Sequence, residues 1–188
     1  MKNHLAALLI STALVAGASS VSAKEILGIG TPDATQFRAK ATASDAFEVL
    51  SSKIALTHAT RDDIKDFAQM MIHDHTASTD KLVALGGISK ASLKTKMKPG
   101  PDGKYRTNDL LDSDHSTELN SLDSKSNRDF DKTYIADQVK GHENAVALLD
   151  DYSRNGDNPK LKAFAREILP TVREHLAKAK ALQQQIGA

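Results

Sequence analysis

Apolar residues recur every three to four positions along three long segments of this 188-residue chain, and that spacing restricts the fold to packed amphipathic helices. The clearest stripe consists of Ile64, Phe67, Ala68, Met71, His75, Ser78, Leu82 and Leu85. Similar stripes run over residues 126–154 and 159–186, and a shorter one runs over 44–58. No segment alternates with the period of a strand for long enough to compete. The sequence therefore predicts an all-α fold.

Turn and capping residues divide these stripes into two helical hairpins. We predict helices from about Ser44 to His58, from Thr60 to Gly86, over 126–154, and from Pro159 onward, with Thr60 and Asn158 as caps. Between the hairpins, the lysine-rich segment 86–108 is expected to be an exposed crossover that a short helix at about 108–123 completes. Two hairpins joined in this way predict a four-helix up-down bundle with ferritin-like connectivity.

The first 23 residues have the features of a signal peptide. A weakly basic start precedes the apolar stretch 5–16, and Val21-Ser22-Ala23 has the small-x-small form of a cleavage site. The apolar stretch is too short to span a bilayer comfortably, and no later segment predicts an integral membrane span. We therefore expect cleavage after Ala23 and export, most simply to the periplasm. Residues 24–41 are then interpreted as a flexible arm and 42–188 as the bundle domain.

Composition excludes several classes of function. Removal of the leader, which contains Lys2, lowers the Lys+Arg count from 25 to 24, equal to the 24 Asp+Glu, so there is no electrostatic case for nucleic acid. The chain has no cysteine, which excludes thiolate metal sites and thiol catalysis. No Ser/His/Asp order, phosphate-binding glycine loop or paired-carboxylate site stands out, so the sequence favours a non-enzymatic role. Partners and oligomeric state are left open.

Three histidines are the main functional candidates. His75, His142 and His175 each lie near the middle of a different predicted helix, on its apolar stripe. Counting residues from the turns places all three within about one helical turn of one depth, and Glu48 falls at a similar level. Three imidazoles and a carboxylate suit one divalent ion such as Zn²⁺, Fe²⁺, Mn²⁺ or Cu²⁺. The alternatives are a small ligand, or a structural or stress-related bundle in which the histidines are packed and hydrogen-bonded.

Further polar residues are candidates for supporting such a layer. Asp74, Glu143 and Glu174 adjoin the histidines in sequence and are predicted to accept hydrogen bonds from ligand rings. Asp131 lies one turn before Tyr134 and is predicted to hold its buried hydroxyl.

Two alternative metal chemistries are disfavoured by spacing. Di-iron bundles carry Glu three residues before a ligand histidine, but this chain has Ile72, Val139 and Val172 at those positions. A di-iron centre is therefore not expected. Copper is also favoured by thioether ligands, and Met70 and Met71 precede His73 and His75. However, two histidines two residues apart on a helix point about 200° away from each other and do not chelate together.

These residues carry a resemblance to a known family. The segments from Phe67-Ala68 to Asp74-His75-Thr76, from Phe130-Asp131 through Tyr134 to His142, and from Pro170 to His175-Leu176 resemble the domain-of-unknown-function family 4142. The resemblance covers about residues 42–184. It implies an exported bacterial protein with a ferritin-like helical bundle. It implies no established activity, because the family is named for lacking one.

Overall fold

The computed structural model describes residues 30–86, 89–108 and 110–187. These residues form six helices: α1 (Ala34–His58), α2 (Asp62–Ala84), α3 (Lys90–Lys96), α4 (Ser113–Asp123), α5 (Asn127–Asn155) and α6 (Pro159–Gly187). The described residues contain no strand, only an isolated bridge between Asn108 and Leu111, so this part of the chain is all-α as predicted. The predicted signal peptide (1–23) and residues 24–29 of the predicted arm lie outside the described residues.

The four long helices pack in two pairs, α1 with α2 and α5 with α6, and a three-residue connection joins the members of each pair. The helices of one pair also contact those of the other, α1 against α5 and α2 against α6. Their buried faces form two apolar clusters. One is centred on Phe47, Phe130 and Tyr134, and the other on Phe37, Tyr152 and Phe164. In the crossover, α4 packs against α1 and α5.

The first helix begins ten residues earlier than Ser44, so the flexible-arm prediction is wrong for residues 34–41. The Asp33 side chain accepts a hydrogen bond from the Gln36 backbone N–H at 2.8 Å, and the Gln36 side chain accepts from the Asp33 N–H. This capping box satisfies two N–H groups at the start of the helix. One turn later, Phe37 is fully buried and stacks on Tyr152 with ring centroids 3.8 Å apart. Capping and burial together therefore hold these residues in α1.

The other helix ends match the predictions in part. Asn158 caps α6 as predicted, because its side chain accepts from the N–H groups of Lys160 and Leu161 at 3.0 and 3.2 Å. Thr60, by contrast, is not the cap of α2, which begins after Arg61 without a side-chain cap. The crossover also contains more helix than predicted, because α3 packs the buried Leu93 against the core. Within the described residues, no helix is both long and apolar enough to cross a bilayer.

Candidate metal centre

His75 on α2, His142 on α5 and His175 on α6 form one buried layer, called the histidine layer below. Each pair of ring centroids is 5.4 Å apart. One nitrogen of each ring lies within 4.8 Å of one nitrogen on each of the other two, and no member of the layer is more than 4 % exposed. The structure thus brings together the three histidines that helical spacing placed at one depth.

The histidine layer lies between the two apolar clusters of the core. Along α2 it falls between Met71, in one cluster, and Leu82, in the other. Along α6 it falls between Val172 and Ala179, which also belong to different clusters. Apolar packing on both sides lowers the local dielectric constant, which strengthens each hydrogen bond in the layer and raises the cost of an unpaired polar atom.

Each imidazole donates one N–H to an oxygen outside the layer. The three hydrogen bonds join His75 Nδ1 to Asp45 Oδ1 at 2.8 Å, His142 Nδ1 to the Gln138 carbonyl at 2.8 Å, and His175 Nε2 to Asp74 Oδ2 at 2.9 Å. A ring held in this way has a fixed orientation, and its second nitrogen is the one left to bind something else.

Among the described residues, the second nitrogen of each ring has no hydrogen-bond partner. These atoms are His75 Nε2, His142 Nε2 and His175 Nδ1, all of them buried. Buried polar side-chain atoms are nearly always satisfied in native proteins, so three unsatisfied nitrogens in one layer call for a common partner. Three imidazole nitrogens are a usual ligand set for a transition metal ion.

Burial and neighbouring charges set the protonation of the three rings. Burial, together with the positive charge of His75, lowers the pKa of His142 to about 3. The same two causes lower the pKa of His175. The pKa of His75 is raised, because the hydrogen bond and charge of Asp45, with the charge of Glu48 nearby, outweigh the effect of burial. The lowered pKa values of His142 and His175 favour neutral rings, the form that binds a metal ion, whereas the raised pKa of His75 favours the protonated form, with which an ion competes.

Glu48 lies beside the histidine layer, but it does not belong to the set of residues whose ligand atoms all lie within 4.8 Å of one another. Its Oε1 atom is 3.6 Å from His142 Nδ1, the nitrogen that already donates to the Gln138 carbonyl, and its Oε2 atom has no hydrogen-bond partner in the part of the chain that the structure describes. Burial raises the pKa of Glu48 to about 7, against the opposing charge of His75. The described cluster therefore contains the three predicted histidines with a carboxyl group next to them, and the role of Glu48 as a fourth ligand stays a prediction.

Asp45 is the site residue that the sequence interpretation missed. It is buried on α1, and its two oxygens accept from His75 Nδ1 and, at 3.1 Å, from the Thr79 hydroxyl. The available signal was its position one turn before Glu48 on the inner face of α1. The Gln138 carbonyl was also missed, because a backbone acceptor four residues before a histidine leaves no mark in the sequence.

Asp131 and Tyr134 do not support the histidine layer as predicted. The Asp131 carboxylate accepts from the Thr60 backbone N–H at 3.0 Å and also from the Thr60 hydroxyl, at the connection between α1 and α2. The Tyr134 hydroxyl bonds instead to Ser52 Oγ at 2.8 Å. The prediction from one-turn spacing is wrong because each group bonds outside α5, Tyr134 to Ser52 on α1 and Asp131 to Thr60 in the connection between α1 and α2.

The remaining predicted acceptors divide into one that contacts the histidine layer and two that do not. Asp74 bonds to His175, as described above. Glu143 is exposed and forms an ion pair with Lys180 at 2.7 Å. Glu174 is also exposed. Glu143 follows His142 by one residue, and Glu174 precedes His175 by one residue. Because adjacent residues on a helix point about 100° apart, these two carboxylates face solvent.

A family model described as a domain of unknown function, DUF4142, matches residues 20–182. The chain belongs to this family. A solved structure titled "CopM in the Cu(II)-bound form" is 17 % identical in sequence, covers 83 % of this chain and 99 % of its own, and superposes with a TM-score of 0.58. At that identity the similarity shows a shared fold. No curated protein matches the chain.

Proposed function

We propose that this DUF4142 protein binds one divalent transition metal ion through His75, His142 and His175. The observation that carries the proposal is the set of three buried ring nitrogens without partners, one from each histidine. An ion bound at about 2.1 Å from each nitrogen requires nitrogens about 3.4 Å apart in tetrahedral geometry. The nitrogens lie within 4.8 Å of one another, so each pair needs to close by at most about 1.4 Å.

The outer hydrogen bonds support the same assignment. Metal-binding histidines almost always donate their second N–H to a carboxylate or a carbonyl, which fixes the tautomer and makes the ligand nitrogen more basic. All three rings have such a partner: Asp45, Asp74 and the Gln138 carbonyl. Histidines that only pack in the core do not need a carboxylate or carbonyl acceptor at every ring.

The size of the available space favours an ion over an organic ligand. The cavity that borders His75 and Asp45 has a volume of about 20 Å³ available to a water-sized sphere. That is room for about one water molecule or one ion. The cavity is lined by His75 but by neither His142 nor His175, so a small organic ligand beside His75 requires the helices to separate.

Among Zn²⁺, Fe²⁺, Mn²⁺ and Cu²⁺, we propose Cu²⁺ as the metal to test first and Zn²⁺ second. A ligand set of imidazoles without a carboxylate disfavours Mn²⁺, and divalent copper has the highest affinity for nitrogen ligands in the first-row series. The similar solved structure is, by its title, a Cu(II)-bound form. That title supports testing Cu²⁺ before Zn²⁺ on this chain.

Metal stoichiometry and thermal stability test the proposal together. Untagged wild-type protein is expected to retain one ion per chain, and added Cu²⁺ is expected to raise its melting temperature. At a free concentration 100 times Kd the stabilisation is about 2.7 kcal/mol. The variant His75→Gln, His142→Gln, His175→Gln is expected to show neither effect. Glutamine keeps the ring positions filled and polar, so circular dichroism can confirm that this variant folds.

A matched control replaces two histidines outside the layer, His58→Gln with His115→Gln, and is expected to bind like the wild type. Wild-type protein that carries no stoichiometric metal, and whose melting temperature is unchanged by Cu²⁺ and Zn²⁺, would overturn the proposal. The histidines would then be a packed polar layer in a structural bundle.

We further propose that the four long helices form an up-down, ferritin-like bundle and that the protein is exported. The pairing of α1 with α2 and of α5 with α6, with the crossover between the pairs, supports the first. The leader-like segment over residues 1–23 supports the second. Fractionation of cells that produce the full chain, with N-terminal sequencing, tests export and the predicted cleavage after Ala23.

A further inference from the structure

A polar chain of three side chains connects the histidine layer to the surface. His73 has an 84 % exposed side chain, and its Nδ1–H donates to Asp74 Oδ1 at 2.7 Å. The other Asp74 oxygen accepts from His175 Nε2 at 2.9 Å. One half-exposed carboxylate therefore bridges an exterior imidazole and a ring of the buried layer, along the seam where α2 and α6 meet.

We propose that His73 and Asp74 form an outer metal site that captures the ion from solvent and passes it to the histidine layer. This inference rests on the proposed function. An ion about 2.1 Å from both an imidazole nitrogen and a carboxylate oxygen spans about 3 Å at a right angle, close to the 2.7 Å between His73 Nδ1 and Asp74 Oδ1. The ion takes the place of the proton between the two atoms, and that proton leaves to solvent.

A second route to the histidine layer, through the cavity beside His75, is less suitable for a hydrated ion. The cavity beside His75 is lined mainly by apolar side chains, among them Phe164, Ile168 and Val172, and admits about one water molecule. A cation that sheds its water needs replacement ligands at each step, because an unpaired charge in apolar surroundings is costly. The His73–Asp74 pair supplies a nitrogen and an oxygen, and the carboxylate contacts the outer nitrogen of His175, Nε2, whose ring presents Nδ1 as the nitrogen left for the ion.

A lysine on the α6 side of the seam opposes an arriving cation. Lys178 Nζ lies 3.1 Å from Met70 Sδ on α2, which places its charge where α2 and α6 meet. Because like charges repel, removal of this charge should speed capture of a cation. Removal of the outer ligand His73 should slow it. The two substitutions therefore have opposite expected signs.

Stopped-flow mixing of Cu²⁺ with the full-length protein, followed by visible absorption, tests the outer site. His73→Ala is expected to slow loading about tenfold, and Lys178→Gln to speed it about threefold at low salt. Both variants should still bind one Cu²⁺ at equilibrium. The matched control Glu143→Gln changes an exposed, ion-paired carboxylate next to His142 and should load at the wild-type rate. At about 0.5 M salt the Lys178→Gln effect should shrink, whereas the His73→Ala effect should remain.

Two outcomes overturn the outer site. One is that His73→Ala and Lys178→Gln load at the wild-type rate. The other is that His73→Ala changes only the rate of dissociation, as expected of a residue that stabilises the bound state instead of the route to it. Failure of the wild-type protein to bind Cu²⁺ or Zn²⁺ at all is a different result, which overturns the proposed function itself.

Discussion

Asp45 on α1 and His75 on α2 form a buried hydrogen bond of 2.8 Å, in which the His75 Nδ1–H donates to a carboxylate held at its other oxygen by the Thr79 hydroxyl. The bond directs the second nitrogen of His75 to the other two histidines, where it has no partner. The negative charge of Asp45 also raises the pKa of His75 against the effect of burial. Asp45 is therefore the residue that most directly determines the charge and orientation of this ring.

Asp45→Asn should weaken metal binding while it preserves the shape of the site. The amide oxygen still accepts from His75, but the negative charge that favours a bound cation is lost. We expect Cu²⁺ affinity to fall about 10- to 100-fold, as is typical when a partner of a ligand histidine is changed. Competition titration against a chelator of known affinity measures the change.

Glu167→Gln is the matched control for Asp45→Asn. It removes one negative charge from an exposed carboxylate that pairs with Lys81 at 2.6 Å. Its Cu²⁺ affinity should equal that of the wild type, because exposed charges are screened by solvent and salt. Equal affinities for Asp45→Asn and the wild type would show that Asp45 does not support the metal site.

Two buried groups, His142 and Glu48, should change the stability of the metal-free protein in opposite directions as pH changes. The pKa of His142 falls from 6.5 to about 3 on folding, so its contribution is fully present above pH 6.5 and is lost as pH falls toward 3. The pKa of Glu48 rises from 4.5 to about 7, so its contribution is fully present below pH 4.5 and is lost as pH rises through 7. Between pH 4.5 and 6.5 the two trends oppose each other.

The Glu48→Gln substitution should remove the opposing effect of Glu48, so that the loss of stability caused by His142 at falling pH becomes measurable. Glutamine has no proton to lose, so the variant should gain stability relative to the wild type as pH rises from 4.5 to 7, by about 3 kcal/mol for the full shift. Urea denaturation of both proteins at pH 4.5, 5.5, 6.5 and 7.5 measures this difference, and carboxylates common to both proteins cancel. A difference that does not change with pH would mean that Glu48 is ionised in the folded protein.

Gly141 should be energetically coupled to Glu48. A Cβ at Gly141 would lie 2.8 Å from Glu48 Oε1, in a region where the carboxyl group is fully buried. Alanine favours a helix over glycine by about 1 kcal/mol, so Gly141→Ala should be stabilising only when Glu48 is truncated. We expect a coupling of about 1–2 kcal/mol in the double-mutant cycle with Glu48→Ala.

The control for that cycle is Gly187→Ala at the end of α6, where an added Cβ meets no atom within 4 Å. Its effect on the free energy of unfolding should be the same with Glu48 and with Ala at that position. Strict additivity of Gly141→Ala and Glu48→Ala would contradict the close packing of Glu48 against α5.

Helical periodicity was sufficient to predict the all-α fold and the three histidines of the layer, because both depend on which face of a helix is buried. It was not sufficient for their partners. Asp45 is 30 residues from His75, and a stripe defined by apolar residues omits a buried aspartate. For Tyr134 and Asp131, helical spacing predicts a bond between neighbours along α5, whereas the two side chains bond to Ser52 and Thr60 instead.

The start of α1 is predictable from the sequence. Asp33-x-x-Gln36 has the spacing of a capping box, although the glycines and proline before it also indicate a break in structure. The stack of Phe37 on Tyr152 is not predictable from helical spacing, because it joins two residues that are far apart in sequence and lie on different helices.

Phe37→Ala should test whether residues 34–41 belong to the folded domain. The ring is fully buried, stacks on Tyr152 at 3.8 Å and meets the edge of Phe164 at 6.3 Å, so its removal opens a cavity between α1, α5 and α6. We expect a loss of about 3–5 kcal/mol in the free energy of unfolding, measured in urea. Thr35→Ala, at an exposed position in the same turn, should change it by less than about 0.5 kcal/mol. Equal, small effects of both substitutions would mean that this turn does not pack on α5 and that the flexible arm extends to residue 41.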